Sequence, residues 1–198
     1  MKFPEIKSHL AKFKVGIAGA GGLGSNCAVS LARSGIGTLV ITDYDLVEET
    51  NLNRQFYFAD QIGMTKTRAL KDNIERIKSG TQISINNTLL TPGKIVEIYS
   101  GCDVIVEAFD RADMKEMLIE TILTKMPGIP LIVGSGMAGY GNNETIRCRK
   151  LDDCLYVCGD ESTEVTDDLP PMAPRVGIVA NMQANIVIEI LMKKREKE

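Results

Sequence analysis

Phe13-Lys-Val-Gly-Ile-Ala-Gly-Ala-Gly-Gly-Leu-Gly-Ser25 is the stretch from which the fold can be read. A short apolar run, Val15 to Ala18, enters Gly19-x-Gly21-x-x-Gly24. A helical pattern follows at once through Cys27, Ala28, Val29, Leu31 and Ala32. Strand, glycine turn and helix in that order form the context in which this motif binds a nucleotide. The glycines have separate tasks. Gly19 permits the tight turn, Gly21 lets backbone approach a phosphate, and Gly24 lets helix lie close on strand. The helix start then offers free N–H groups and a positive dipole end to an anion. The motif alone does not choose the nucleotide.

Outward from that stretch, strands and helices alternate. Ser34-Gly35-Ile36-Gly37 stops the first helix, and Thr38 to Thr42 is a second buried strand closing on Asp43. Residues 44–62 show no clear periodicity. Met64 to Lys78 reads as an amphipathic helix, with Ala69, Leu70, Ile74 and Ile77 on one face. Gln82–Asn86 alternates as a strand, Pro92–Tyr99 is a short helix with proline at its start, and Val104–Val106 is a strand. Met114–Thr124 is a helix and Pro130–Val133 a strand. This alternation predicts an α/β fold, a Rossmann-like, doubly wound, mostly parallel sheet. Glu144–Arg149 and Leu155–Val157 read as added C-terminal strands, for which an antiparallel arrangement is open. Residues 159–175 read as a loop, and Val176–Lys194 as a long apolar helix. Residues 1–12 look like an amphipathic lead.

The 198 residues suit one sizeable core, and we read 1–198 as a single nucleotide-binding domain. Basic residues number 23 against 26 acidic, a net charge of −3, which argues against nucleic acid or a membrane surface as main partner. No stretch is read as membrane-spanning and the N-terminus lacks a signal-peptide core, so a cytoplasmic protein is expected. Five cysteines without regular spacing fit free thiols better than a disulfide framework.

Ligands of such sheets sit at the strand carboxyl ends. Asp43 ends the second strand 19 residues after Gly24, where an acid grips ribose hydroxyls. Asp110 follows the fourth strand, and local sequence serves two readings equally: a magnesium ligand, or the N-cap of a helix beginning near Arg111. Asn51-x-x-Arg54-Gln55 and Lys66 come next to the ribose acid. Arg54 and Lys66 suit a triphosphate better than a dinucleotide, which needs few charges beyond its pyrophosphate contacts. Alone, each would read as a solvated surface charge, the usual fate of a lone lysine.

Taken together, Gly19-Ala-Gly-Gly-Leu-Gly-Ser25, Asp43-Tyr-Asp45, Asn51-Leu-Asn-Arg-Gln55 and Gly63-x-x-Lys66 closely resemble the ThiF/MoeB/HesA family, bacterial relatives of the ubiquitin-activating enzymes. Pro174-Arg-Val-Gly177 and Met182-Gln-Ala184 fit that family's closing helix. The short members without a zinc module look most similar. The resemblance implies an adenylyltransferase. A small ubiquitin-like sulfur carrier protein presents a C-terminal Gly-Gly carboxylate, which attacks the α-phosphate of ATP. It implies ATP and Mg²⁺ as cofactors, with Arg54, Lys66 and Asp110 as catalytic residues and Asp110 on the magnesium. Gly19, Gly21, Gly22, Gly24, Asp43, Asn51, Arg54, Gln55 and Lys66 would bind the nucleotide. A homodimer is expected, with a separate sulfur donor protein and a product used in cofactor synthesis such as that of thiamin.

The chain departs from its larger relatives in places. Cys148, Cys154 and Cys158 do not have the spacing of paired Cys-x-x-Cys zinc ligands, so zinc is not expected. The 159–175 loop contains no cysteine for a sulfur-bearing link, and Cys158 at its edge is a weak candidate. Residues 1–12 carry Lys2, Lys7 and Lys12 where many relatives supply an arginine to the partner subunit, and lysine is the poorer phosphate clamp. Single His9 reads as structural. Two other functions compete: an NAD-dependent oxidoreductase, since the glycine motif with Asp43 suits that cofactor equally, and a relative that binds nucleotide or carrier without turnover. None of the five tyrosines has a lysine four residues on, which removes one common dehydrogenase pair.

Overall fold

A computed structural model describes residues 2–194. The chain runs α1 (Phe3–Leu10), β1 (Lys14–Ala18), α2 (Gly22–Ser34), β2 (Thr38–Asp43), α3 (Lys66–Glu75), β3 (Gln82–Asn87), α4 (Pro92–Tyr99), β4 (Val104–Glu107), α5 (Ala112–Lys125), β5 (Leu131–Gly134), β6 (Arg147–Asp152), β7 (Leu155–Gly159) and α6 (Ala173–Lys193). Seven strands form one sheet in the order β3-β2-β1-β4-β5-β7-β6. The order reverses between β1 and β4, so their carboxyl ends flank the crevice where doubly wound sheets take ligands. β1 to β5 are mutually parallel, and β7 adds to β5 in parallel as well. Of the two added strands, only β6 is antiparallel, on β7. A hairpin must reverse one of its strands, and it is the outer one that turns.

The sheet is covered on both faces, which explains its continuous apolar runs. On one face α2, α3 and α6 contribute Leu31, Leu70, Val179 and Val187 to a cluster over Ile17 and Ile41. On the other, α4 and α5 contribute Ile95, Tyr99, Leu118 and Ile122 over Ile105 and Leu131. Helix ends follow local chemistry. Thr91 accepts the Lys94 N–H at the start of α4, beside Pro92. Gly35, at φ +94°, ends α2 in the left-handed conformation.

Several boundaries differ from the periodicity by a few residues, and three of the starts have a visible local cause. α3 begins at Lys66 rather than Met64, because Met64 is tied into the preceding turn: its N–H meets the Gln61 carbonyl and its carbonyl accepts from Val47. β6 begins at Arg147, since residues 143–145 form a 3-10 turn. α6 begins three residues early, at Ala173, with Pro174 in its first turn, where a missing N–H costs nothing. The expectation that no stretch is long enough to span a membrane also needs correction. The 21 residues of α6 are long and apolar enough by length and composition. Here the helix packs along α2 and β5, burying Val179, Ala184, Val187 and Leu191.

Candidate active site

The carboxyl ends of β1, β2, β4 and β5 open into a cleft of about 770 Å³. The glycine turn forms its first wall. Gly19 has φ +100°, and a Cβ there would stand 2.7 Å from the Ala108 carbonyl oxygen at the end of β4. Gly24 is the third residue of α2, where a Cβ would stand 1.9 Å from the Gly19 carbonyl oxygen. So Gly19 shapes the turn and Gly24 allows the helix to sit on it. Gly19, Gly21 and Gly22 line the cleft, whereas Gly24 is buried behind them. The first N–H groups of α2 have no acceptor within the helix and are free for an anion.

Asp43 braces this turn. One carboxylate oxygen accepts the Ala20 N–H at 2.6 Å and the other the Asp45 N–H at 2.8 Å. Burial pushes its carboxyl pKa up, against the pull of those N–H groups and of the Lys66 ammonium. Each oxygen keeps a second lone-pair site facing a cleft that Asp43 lines, so a ribose hydroxyl can still be accepted. Tyr57 holds the same turn from behind. Its hydroxyl donates to the Ala20 carbonyl at 2.7 Å and lies 3.3 Å from the Lys66 carbonyl.

The segment without periodicity, 44–62, supplies the cations. A 3-10 turn at Glu49–Asn51 leads into Arg54 and Gln55, both of which line the cleft. The Arg54 stem runs past Gly22, with Cγ 3.7 Å from where a Cβ of residue 22 would be. Its guanidinium donates to the Thr50 carbonyl at 3.1 Å and to Asn53 Oδ1 at 2.8 Å. Gln55 is buried and its Oε1 has no hydrogen-bond partner, an acceptor left open at the cleft wall. Lys66 is the first residue of α3 and only 7% exposed, so it is no surface lysine. Its ammonium sits 2.7 Å from Asp45 Oδ2, which is half exposed. Two of its three donors have no acceptor among the described residues.

Asn51 is placed differently. It does not line the cleft; its Oδ1 accepts the Glu48 N–H at 3.0 Å and closes the 3-10 turn before Arg54. Asp110 does line the cleft, and it does not cap α5. The N-cap is Arg111 and the helix begins at Ala112. With the capping reading gone, Asp110 presents an exposed carboxylate with no hydrogen bond or ion pair among the described residues. No group of three or more His, Cys, Asp or Glu side chains suited to a metal exists among those residues. A magnesium ion here would be held by the single Asp110 carboxylate together with ligand phosphates and water, an arrangement Mg²⁺ accepts readily.

The opposite wall escaped the sequence reading. Glu107, fully buried at the end of β4, pairs with Lys115 and accepts the Phe109 N–H at 2.7 Å and the Gly134 N–H at 3.3 Å. Burial pushes its carboxyl pKa up, and the Lys115 ammonium opposes that. Lys115 also donates to the Gly134 carbonyl at 2.7 Å, tying β4 to β5 below Asp110. Beyond β5, Ser135, Gly136, Thr163 and Val165 continue the wall. Asp160 organises it. Its carboxylate accepts the N–H groups of Ser162 (2.9 Å) and Thr163 (2.8 Å), the Thr163 hydroxyl, and the guanidinium of Arg175 in α6. Both members of that ion pair are buried. Burial alone would raise the Asp160 carboxyl; the donors from Ser162, Thr163 and Arg175 outweigh that and hold it well below the usual range. A charged residue closing an apolar strand, as in Val104–Glu107, was the one available hint of such pairs. Nothing local names their partners.

The cysteines stay out of the cleft. Cys158 is fully buried against Cys148, and burial pushes its thiol well up, so it is no nucleophile facing the ligand. His9 is structural: its Nε2 lies 3.0 Å from the Leu191 carbonyl and its ring meets Phe13 edge-on.

The ThiF family profile matches residues 3–198. The adenylyltransferase and sulfurtransferase MOCS3 of Caenorhabditis briggsae is 30% identical over 196 residues, 94% of this chain and 48% of that protein. The molybdopterin-synthase adenylyltransferase of Salmonella typhimurium is 27% identical over 192 residues, 94% of this chain and 76% of that protein. The chain thus spans about half the length of the MOCS3 proteins it matches. Among solved structures, the E. coli tRNA N6-threonylcarbamoyladenosine dehydratase TcdA in complex with AMP has a TM-score of 0.85 at 20% identity. That match covers 95% of this chain and 89% of TcdA, and it shows a shared fold. With a glycine turn, an acid closing β2 beside it and a match running from residue 3 to residue 198, this chain belongs to the ThiF family.

Proposed function

We propose that the chain adenylylates the C-terminal Gly-Gly carboxylate of a small ubiquitin-like sulfur carrier protein, using ATP and Mg²⁺ and releasing pyrophosphate. The observation that carries this reading is the convergence of Arg54, Lys66 and Asp110 on one cleft with the free N–H groups of α2. A dinucleotide would leave most of that charge without a task. A triphosphate attacked at its α-phosphate needs it. The relatives named adenylyltransferases support the same reading.

The chemistry asks for no general base. A carboxylate is already ionised at neutral pH, and the lone His9 lies outside the cleft. Catalysis is then positioning and charge neutralisation. Asp43 would accept a ribose hydroxyl. Gly21, Gly22 and the α2 start would cradle phosphate, while Gln55 Oε1, being an acceptor, would take a hydroxyl or amino donor of the nucleotide. Arg54 and Lys66 would meet charge on the phosphates, Lys66 sharing its ammonium with Asp45 until they arrive. Asn51 would act through the turn that presents Arg54. When bound at Asp110, magnesium would neutralise phosphate charge. The family resemblance supports a homodimer, a separate sulfur donor, and a product feeding synthesis of a cofactor such as thiamin.

ATP–pyrophosphate exchange with a Gly-Gly carrier and Mg²⁺ tests this. Exchange that depends on the carrier is expected, and Asp110→Ala should abolish it without changing the thermal melt. Full activity in that variant would remove Asp110 from the mechanism. Absence of exchange with every Gly-Gly carrier, alongside clear NADH binding, would favour an oxidoreductase.

A further inference from the structure

The outer hairpin of the sheet sets two thiols face to face. Cys148 on β6 is directly opposite Cys158 on β7, with Sγ atoms 2.9 Å apart and neither in a disulfide. The kind of pairing decides what they can do. Opposed residues in an antiparallel ladder alternate between pairs that exchange both backbone bonds and pairs that exchange none. The Cys158 carbonyl accepts the Ser135 N–H just past β5, at 2.9 Å. A strand residue points its N–H and C=O to the same side, so the polar backbone of Cys158 faces β5 and not β6. Cys148 and Cys158 are therefore a non-hydrogen-bonded pair. Such pairs hold their Cα atoms at about 4.5 Å, inside the range of about 4.4–6.8 Å that a disulfide spans. Both side chains leave the same face, packed into the cluster that α2 and α6 cover. Access is one-sided: Cys158 is fully buried, while Cys148 is half-buried on the outermost strand. Neither sulfur lines the cleft, so the adenylation proposed above does not use them.

We propose that Cys148 and Cys158 form an oxidation site, converted by a low-molecular-weight disulfide such as oxidised glutathione into an intramolecular disulfide that staples β6 to β7. The Cys148 thiolate attacks one sulfur of oxidised glutathione, and the first glutathione thiolate leaves, taking up the proton Cys148 released. The Cys158 thiolate then attacks Cys148 Sγ in the mixed disulfide and expels the second glutathione, which is protonated in turn. Two protein thiols are oxidised, and one glutathione disulfide is reduced to two thiols. Burial raises both protein thiols, so the exchange is slow at neutral pH and quickens as pH rises. The staple closes the strand pair that leads directly into Asp160 and the cleft wall.

The full chain, equilibrated at pH 8 across glutathione redox buffers, should be acid-quenched, unfolded, alkylated and weighed by mass spectrometry. The expected result is a single two-electron step from five alkylated cysteines to three, with Cys148 and Cys158 protected. The oxidised form should melt about 5–10 °C higher, as a short closed loop stabilises a chain of this size by that order. Cys27→Ser should keep the step and Cys148→Ser, at the half-buried edge, should lose it. Five alkylated thiols at the most oxidising ratio would overturn the proposal. So would glutathione retained on Cys148 without a second step, or a bond involving Cys27.

Discussion

The two walls of the cleft are built by different physics. The wall of β1, α2 and β2 depends on what is missing: side chains at Gly19 and Gly24, where backbone approaches backbone too closely for a Cβ. The wall beyond β5 depends on what is added, a buried ion pair between Asp160 and Arg175 that fastens residues 160–175 to α6. The first kind of wall is specified by neighbours in sequence. The second is specified by residues brought together only when the sheet is complete.

That contrast can be broken most violently at the second wall. Arg175→Met leaves the Asp160 carboxylate buried without its cation and should cost about 3–5 kcal/mol, read from a denaturant midpoint. The pH dependence carries its own sign. The Asp160 carboxyl is held below its usual range when folded, so protonation favours the unfolded chain. The stability it contributes is fully present above about pH 4, the unfolded carboxylate value, and is lost as pH falls below that. Removing Arg175 should weaken that acid-side loss; an unchanged acid limb would deny the pair its role. Gly24→Ala comes next. With the Gly19 carbonyl in the way, overpacking should cost about 1–3 kcal/mol and should displace the turn enough to lose ATP binding by calorimetry. Retained binding would mean that the turn tolerates a shifted helix. The smallest effect sharpens the comparison from outside. Arg149 and Glu161 pair near the same wall but in solvent, and Arg149→Ala should leave the melting temperature within scatter. A clear drop would mean the wall is fastened at its surface too.

Legibility in the sequence followed the same division. Strands β1 to β5 and the glycine turn could be read because their signals are local: apolar runs, glycines and a proline at a helix start. Asp43 could be placed because it ends a strand. Lys66 could be named only through the family resemblance, since nothing local distinguishes it from a surface lysine; its burial comes from the contact of α3 with the 44–62 segment. Asp110 was ambiguous because a helix start needs a cap and a metal needs a carboxylate, and Arg111 took the cap position instead. Glu107–Lys115 and Asp160–Arg175 stayed hidden, as each pair spans an intervening turn or loop whose path no periodicity encodes. The added strands are antiparallel to each other, as the sequence allowed, while the parallel docking of β7 on β5 had no local signal. A short strand carries no mark of its direction.

Tyr57 and Asp43 between them hold both the carbonyl and the N–H of Ala20. The backbone beside Gly19 and Gly21 is thereby cast in its final shape while the chain folds, before any nucleotide arrives. An incoming ligand meets a mould already set, and little of its affinity is diverted into ordering the turn. The same bracing commits the Ala20 amide to the protein, so anion binding at this turn falls to the amides that follow it.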